Sequence, residues 1–331
     1  MSGTTVKRIA AAVVAVGLVV GAVLIRRSWD DNSSSSTGST GSTPSRTTAP
    51  VGTEPVVACI SDLADVCNSL SVPGVTIRVE DWATTLTSFT TTSGPNPAPA
   101  AWITFDPLPT LVPKITGTTP VGISDLIAVA KADRSAAAVA ACGADQFWTC
   151  IGNNAGGSWT TLGGQAGWGK VLAGFADPNT STTGLVSLGA AASAFFGNAS
   201  FGSTQIDASD SFFAWFSRMA GSVPAEALAD PLPLLLQRPS AVGVVATTRA
   251  EYALLAAKRT DAFPATYPGP MARAEVVLAV TDGNLPSGLA GSLAAALEAA
   301  GWEQPAAGAA TGLPSAVTLV RLQQLWKETR G

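Results

Sequence analysis

From Glu54 to the C terminus, short apolar runs alternate with longer stretches in which apolar residues recur at helical spacing. This alternation is typical of parallel strands joined by crossover helices, so the sequence predicts an α/β fold. The predicted strands are Val56 to Ile60, Val75 to Val79, Trp102 to Phe105, Ile127 to Lys131, Val242 to Thr247 and Glu275 to Val280. The predicted helices begin near Asp62, Trp82, Thr183, Ser209, Arg249 and Pro286, and a last helix covers Ser315 to Thr329.

A different pattern precedes this region. Ile9 to Ile25 is an unbroken apolar run of 17 residues with basic residues on both sides. As a helix it would be about 25 Å long, which is sufficient to cross the core of a bilayer. We therefore predict one transmembrane helix over 9–25, preceded by a cytoplasmic segment, 1–8. A cleaved signal peptide is the alternative, but Arg26 and Arg27 stand where small residues would mark a cleavage site.

The stretch after this run is rich in hydroxyl side chains. Ser33 to Thr48 has Ser or Thr at 12 of its 16 positions and too few apolar residues to fold. The sequence therefore predicts a linker over 26–54 and a folded domain over 55–331. Because a tether is useful only when the anchor is retained, this linker favours a single-pass protein of the cell membrane with its folded domain outside.

The amino-acid composition limits the classes of function that the chain can have. The chain has 331 residues, of which 47% are hydrophobic, enough for a large core. Its net charge is −4 although the first 53 residues are basic, so the predicted domain is acidic and nucleic acid is not an expected partner. The sequence has no histidine and no standard hydrolase motif. These features predict a binding protein rather than an enzyme, with no cofactor and no metal site.

The four cysteines form two pairs with equal spacing, Cys59 with Cys67 and Cys142 with Cys150. Neither pair has the C-x-x-C spacing of a zinc or redox site. We predict two local disulfides, with buried free thiols as the alternative. Disulfides need an oxidising compartment, so they favour an N terminus in the cytoplasm and a domain outside, an orientation that the flanking charges leave open.

A hydroxyl-rich turn leads into the alanine-rich segment Val186 to Phe196. Its four hydroxyl residues, Thr180, Ser181, Thr182 and Thr183, precede an apolar run as capping residues do at a helix start. The free N–H groups of such a helix end can hold an anion. Capping alone explains the same pattern, so both interpretations stay open.

Four motifs, in their order along the chain, carry a family resemblance. They are Trp102 to Pro107, Gly174 to Pro178 followed by Gly184-Leu185, Tyr267-Pro268, and Gly312 to Ser315. With these motifs the chain resembles the bacterial extracellular solute-binding proteins of the type II periplasmic-binding-protein fold, in particular a membrane-anchored actinobacterial branch. The resemblance covers roughly Val56 to Lys327.

The resemblance implies a two-lobed domain with a ligand cleft. The first lobe would comprise about 55–131 and 272–331 and the second about 132–271, with crossings near Lys131 and Met271. Ligands would be held by strand ends and helix N-termini facing the cleft. Ser61, Thr84, Thr85, Asp106, Lys131, Arg134, Thr180, Ser181, Thr182 and Thr183 are then the expected ligand-binding residues.

The charge of the ligand stays open at this stage. Lys131, Arg134 and the hydroxyls from Thr180 to Thr183 suit an oxyanion. Asp62, Asp81 and Asp106, each at a predicted strand end, would repel an anion and suit a hard cation, a sugar or an amine. Asp62 and Asp81 are also typical of acidic residues that stand at the start of a helix and have no other role.

The expected function is that of a membrane-anchored extracellular solute-binding protein that captures a small polar ligand in the cleft for transport. A membrane transporter, a sensor or an envelope protein would be its partner. The alternative is a structural or interaction module with a degenerate cleft that binds an envelope protein or a wall polymer. A disulfide between Cys59 and Cys67 would stiffen the first ligand loop and therefore favours this alternative.

Overall fold

The computed structural model describes residues 54–91, 98–281, 285–306 and 310–331. The transmembrane helix predicted at 9–25 and the linker predicted at 26–54, apart from Glu54, lie outside the described residues. None of the helices in the described ranges combines the length and the apolar character that a membrane crossing requires. All the elements that follow belong to the chain from Glu54 onward.

Eight strands in the described residues form a sheet in the order β2-β1-β3-β8-β4-β6-β5, with β7 paired to β4. β1 is parallel to β2 and β3, and β5 is parallel to β6, whereas β8 and β4 run antiparallel to their neighbours. The strands are β1 (Val56–Ile60), β2 (Thr76–Glu80), β3 (Ala101–Phe105), β4 (Gly117–Ala130), β5 (Ala173–Gly174), β6 (Val244–Thr248), β7 (Ala265–Thr266) and β8 (Arg273–Val280).

The long strand β4 joins the two halves of the molecule. Its residues up to Asp125 pair with β8, and its residues from Leu126 pair with β6. We call the β2-β1-β3-β8 side of this switch the first lobe and the β6-β5 side the second lobe. The chain therefore passes between lobes inside β4, a few residues before the crossing expected near Lys131. The return crossing lies between β7 and β8 and includes Met271.

Helices cover the connections between the strands, which confirms the predicted α/β class. Each predicted helix is present, with its start within a few residues of the predicted one. Four helices were not predicted, namely α3, α4, α6 and α8. The α-helices are α1 (Ala64–Ser69), α2 (Trp82–Thr90), α3 (Ala132–Cys142), α4 (Phe147–Asn154), α5 (Thr182–Phe196), α6 (Ser203–Ala208), α7 (Asp210–Ser222), α8 (Pro231–Gln237), α9 (Arg249–Ala256), α10 (Leu289–Ala299) and α11 (Ala316–Arg330).

Each lobe has its own hydrophobic core, and α5 belongs to both. Leu185 and Val186 of α5 pack in the first core, while Leu188 and Ala191 of the same helix pack in the second. A helix that is apolar on all sides must be buried on all sides, and α5 lies between the lobes for this reason. The lobes therefore share a continuous apolar contact.

The C-terminal helix α11 also contributes to both cores. Leu319 packs in the first core, whereas Leu322, Leu325 and Trp326 pack in the second. This differs from the predicted lobe boundary, which assigned the whole of 272–331 to the first lobe. The physical reason is the stripe of apolar residues on α11, which is long enough to cover the end of one core and the side of the other.

Candidate functional site

A cleft of about 510 Å³ lies at the ends of β1, β5 and β6. Both lobes contribute to its walls. The turn after β1 belongs to the first lobe, and Ala246 and Thr248 of β6 belong to the second. Its polar lining residues are Ser61, Asp62, Asp65, Thr180, Ser181, Thr183, Asp230, Thr248 and Glu251. Its larger apolar lining residues are Leu63, Val66, Leu228, Pro231, Leu254, Leu255 and Trp302.

The turn after β1 is fixed by covalent chemistry. The chain leaves β1 in a single 3-10 turn, Ser61–Leu63, and enters α1. A disulfide joins Cys59, in β1, to Cys67, in α1, and so brackets this turn. The second disulfide joins Cys142 to Cys150. Both predicted pairings are therefore confirmed, and the first one restricts the loop that carries Ser61 and Asp62.

The predicted helix start at Thr180 to Thr183 is present as the beginning of α5. The Ser181 hydroxyl accepts a hydrogen bond of 2.9 Å from the Gly184 N–H, as an N-cap residue does. Thr180, Ser181 and Thr183 line the cleft. Thr182 points elsewhere: its side chain is fully buried, and its hydroxyl has no hydrogen-bond partner among the described residues.

The carboxylate of Asp62 occupies the N-terminus of α5. Its Oδ2 accepts the Thr182 N–H at 2.7 Å, and its Oδ1 accepts the Thr183 N–H at 2.9 Å. The Ser181 hydroxyl donates to the same Oδ1 at 2.6 Å. Asp62, in the turn after β1, reaches this helix across roughly 120 residues of sequence. The anion position that the helix-start pattern predicted is therefore filled by a side chain of the protein itself.

A fourth hydrogen bond connects the first lobe to the chain at the start of α5. The buried Trp82 indole, at the start of α2, donates to the Pro178 carbonyl at 3.1 Å. Pro178 belongs to the turn that precedes α5, in which Asp177 accepts hydrogen bonds from the backbone and side chain of Asn179. The entry to α5 is thus held by hydrogen bonds from Trp82 and to Asp62.

Two predicted ligand residues on α2 face away from the cleft. Thr84 is exposed, and its N–H and hydroxyl both donate to Asp81, which caps α2. Thr85 is fully buried, and its hydroxyl donates to Glu80 at 2.8 Å. The structure therefore gives Asp81 the capping geometry that was the alternative for it, with Thr84 as the donor.

The two predicted basic residues are also used elsewhere. Lys131 is exposed and forms a 2.9 Å ion pair with Asp133. Arg134 is buried over the Trp159 ring, and its guanidinium donates to the carbonyls of Trp168, Pro239 and Val242. A guanidinium whose donors are already bound to backbone oxygens is not available to an anion in the cleft. Arg134 instead connects three segments of the second lobe.

Asp106 lies at the end of β3, outside the residues that line the cleft. Its backbone N–H donates to the Glu275 carbonyl at 2.9 Å, which extends the pairing of β3 with β8. Burial raises the pKa of Asp106, and burial together with the nearby Asp106 raises the pKa of Glu275. The two carboxyl groups form a partly buried acidic pair in the first lobe.

Three polar cleft residues were not among the predicted ligand residues. They are Thr248 at the end of β6, Glu251 in α9 and Asp230 before α8. Thr248 caps α9, and its hydroxyl accepts the Glu251 N–H at 3.1 Å. The sequence signal for this arrangement was present, because Thr248 and Glu251 have the S/T-x-x-E spacing of a capping box at the end of a predicted strand. Asp230 precedes the proline that starts α8, a position that also marks a helix start.

The lining of the cleft is acidic. It contains four carboxylates, Asp62, Asp65, Asp230 and Glu251, and no lysine or arginine is among the described residues that line it. Burial, reinforced by Asp62 and Asp230, raises the pKa of Glu251, and a hydrogen bond from the Thr247 hydroxyl acts in the opposite direction. No group of three or more potential ligands in the described residues could hold a metal ion.

Similar folds are found among solved structures. They include the periplasmic binding protein P5PA (TM-score 0.48, 12% identity, covering 84% of this chain and 99% of that one). A periplasmic thiamin binding protein has a TM-score of 0.47 at 13% identity, covering 86% of this chain and 99% of its own. Iron-bound HitA from Pseudomonas aeruginosa has a TM-score of 0.48 at 10% identity, with coverage of 83% and 99%.

No protein-family model and no curated protein matches the sequence. At these identities and TM-scores the comparisons assign neither a ligand nor a role to any residue, so the functional argument rests on the cleft itself.

Proposed function

We propose that this chain is a solute-binding protein that captures a small polar ligand in the cleft between its two lobes. The observation that carries the proposal is a cleft of about 510 Å³ with polar side chains from both lobes. This volume lies within the range of about 300–1,000 Å³ that small-molecule sites occupy. The lining groups lie at strand ends and helix starts, where open α/β sheets bind ligands.

The charge of the lining favours a neutral or cationic ligand over an oxyanion. Asp65, Asp230 and Glu251 face the cleft, and no basic residue among the described lining residues offsets them. The N–H groups that could attract an anion at α5 are bound to Asp62. Leu254 and Leu255, both exposed and on the same helix as Glu251, add an apolar part to the lining. An amine or a polyhydroxylated solute with an apolar part suits this combination.

The proposal places the cleft outside the cell. The two disulfides suit an oxidising compartment. Together with the anchor predicted at 9–25 and the linker predicted at 26–54, they support a receptor tethered to the outer face of the membrane. Such a receptor would deliver its solute to a membrane transporter or report it to a sensor. The proposal assigns binding, not catalysis, to the cleft.

The test is thermal unfolding of residues 54–331 with amines, sugars, amino acids, divalent cations, oxyanions and wall fragments. A ligand of the folded state raises the melting temperature with its concentration by mass action. Asp230→Asn removes a cleft carboxylate that makes no side-chain capping bond. Asp261→Asn is the matched control, because Asp261 is exposed and does not line the cleft. We expect Asp230→Asn to reduce the shift and Asp261→Asn to preserve it.

A shift that both variants preserve would place the ligand outside the cleft and contradict the proposal. If no compound raises the melting temperature, the result would favour the second candidate function, an interaction module with a degenerate cleft. The observation that supports this candidate is the shared helix α5, whose burial in both cores restricts the opening of the lobes. Co-sedimentation of the domain with purified cell-wall polymer, measured against the ligand panel, separates the two functions.

A further inference from the structure

We infer that Asp62 is a specificity residue of the cleft: its carboxylate acts as a built-in anionic ligand that keeps free oxyanions off the N-terminus of α5. This inference deepens the proposed function, because it names a class of solute that the native cleft rejects and the residue that rejects it. It is carried by three hydrogen bonds between one side chain of the first lobe and the start of α5, the helix that both cores share.

The geometry is that of a bound oxyanion. Free N–H groups at the start of a helix attract anions, and in α5 the N–H groups of Thr182 and Thr183 both point at the Asp62 carboxylate. The Ser181 hydroxyl completes the set of donors. All three donor-to-oxygen distances lie between 2.6 and 2.9 Å, as expected for hydrogen bonds to an ionised acceptor.

The remaining donors of the first turn of α5 are also occupied. The Gly184 N–H donates to the Ser181 hydroxyl, and the Leu185 N–H donates to the Ser181 carbonyl. A free sulfate or phosphate would therefore have to displace Asp62 to find donors here. It would also have to enter a cleft that already holds Asp65, Asp230 and Glu251. Both effects act against an anion and neither acts against a neutral or cationic solute.

The loop that carries Asp62 is built to keep it in place. The Cys59–Cys67 disulfide, across a sequence separation of 8, ties the turn to the end of β1 and so limits the movement of the segment that carries Asp62. The hydrogen bond from Trp82 to Pro178 holds the chain that leads into α5. A tethered group at fixed distance has a high effective concentration, which a free anion must overcome.

The experiment compares Asp62→Ala with Asp65→Ala, using sodium sulfate as the probe and sodium chloride of equal ionic strength as the salt control. Asp65 is the matched control because it lies one turn away, lines the same cleft and is exposed without a hydrogen bond to α5. We expect sulfate to raise the melting temperature of Asp62→Ala in a concentration-dependent way that chloride does not reproduce. The native chain and Asp65→Ala are expected to show no such rise.

A second measurement keeps the inference testable if Asp62→Ala folds poorly. In a double-mutant cycle with Asp62→Asn and Ser181→Ala, the two substitutions are expected to be non-additive, because each removes a part of the same contact. The inference is overturned if sulfate acts equally on the Asp62 and Asp65 variants, or if Asp62→Asn and Ser181→Ala are simply additive. Neither result would contradict solute binding, which the ligand panel on the native chain tests separately.

Discussion

Gly184, the third residue of α5, is the position where the packing of the cleft can be tested most directly. A Cβ atom placed on Gly184 would lie 2.2 Å from the Ala176 carbonyl oxygen and 2.8 Å from the carbonyl carbon. Carbon and oxygen atoms normally approach to about 3.3 Å, so Gly184→Ala must move the helix start or the Ala176 backbone by about 1 Å. Both partners are backbone atoms, so no side-chain rotation can relieve the contact.

The magnitude follows from the groups that this movement disturbs. Overpacking of this kind costs about 1–3 kcal/mol, and loss of the Ser181 cap costs about 1 kcal/mol more. Alanine in place of glycine offsets about 1 kcal/mol through its helix propensity. We therefore expect Gly184→Ala to lower the free energy of unfolding by about 2 kcal/mol. For a domain of this size that is a fall in melting temperature of about 3–4 °C.

Gly291→Ala is the matched control. Gly291 is also the third residue of a helix, α10, and a Cβ atom there meets no atom within 4 Å. We expect this variant to gain about 0.5–1 kcal/mol from propensity alone. Urea unfolding followed by circular dichroism measures both free energies. If Gly184→Ala is as stable as Gly291→Ala, the close approach of α5 to Ala176 is refuted, and with it the positioning of the α5 donors around Asp62.

Three further predictions follow from buried or constrained groups. Thr182→Val should raise the free energy of unfolding by about 1 kcal/mol in urea titrations, because it removes a buried hydroxyl without a hydrogen-bond partner in the described residues. A fall of similar size in the free energy of unfolding would show that the hydroxyl has such a partner. Replacing Cys59 and Cys67 together by alanine should cost about 2.5 kcal/mol in the same assay, as the chain entropy of a loop of this length predicts, and an unchanged midpoint would contradict that account. Because burial raises the pKa of Glu251 above its ordinary value of 4.5, its contribution to stability is fully present below pH 4.5 and is lost as pH rises through the folded-state pKa. Glu251→Gln should therefore raise the melting temperature at pH 7 and lose this advantage near pH 4, and a gain independent of pH would exclude titration as its cause.

The sequence predicted those elements whose signal is local. The strand Val56 to Ile60 is found at the predicted residues, because a short apolar run between polar residues is typical of a buried strand. The beginning of α5 was predicted from its capping residues, and the disulfides from their spacing. By contrast, the first part of β4 was not predicted, since Gly117 to Pro120 is exposed and its strand character comes from pairing with β8.

The candidate site was predicted only in part, for a similar reason. Thr180, Ser181 and Thr183 line the cleft, but the partner of their helix end, Asp62, lies about 120 residues away, and no local pattern reports such a contact. Arg134 shows the opposite case. A basic residue near a predicted crossing suggested an anion site, yet its burial over Trp159 depends on the packing of α3, which was not among the predicted helices.

The two cores that share α5 and α11 impose an order on the maturation of the chain. β3 pairs with β8, which lies about 170 residues later in the chain. Trp326, a residue of the second core, belongs to the last helix, α11. Contacts between such distant segments form slowly, because the intervening chain must first be closed into a loop. A chain that emerges with its N-terminus first would therefore leave the β3 edge open until β8 is made, and both cores incomplete until α11 follows. We expect deletion of α11 to abolish cooperative folding of both lobes, because each core then lacks side chains that only this helix supplies.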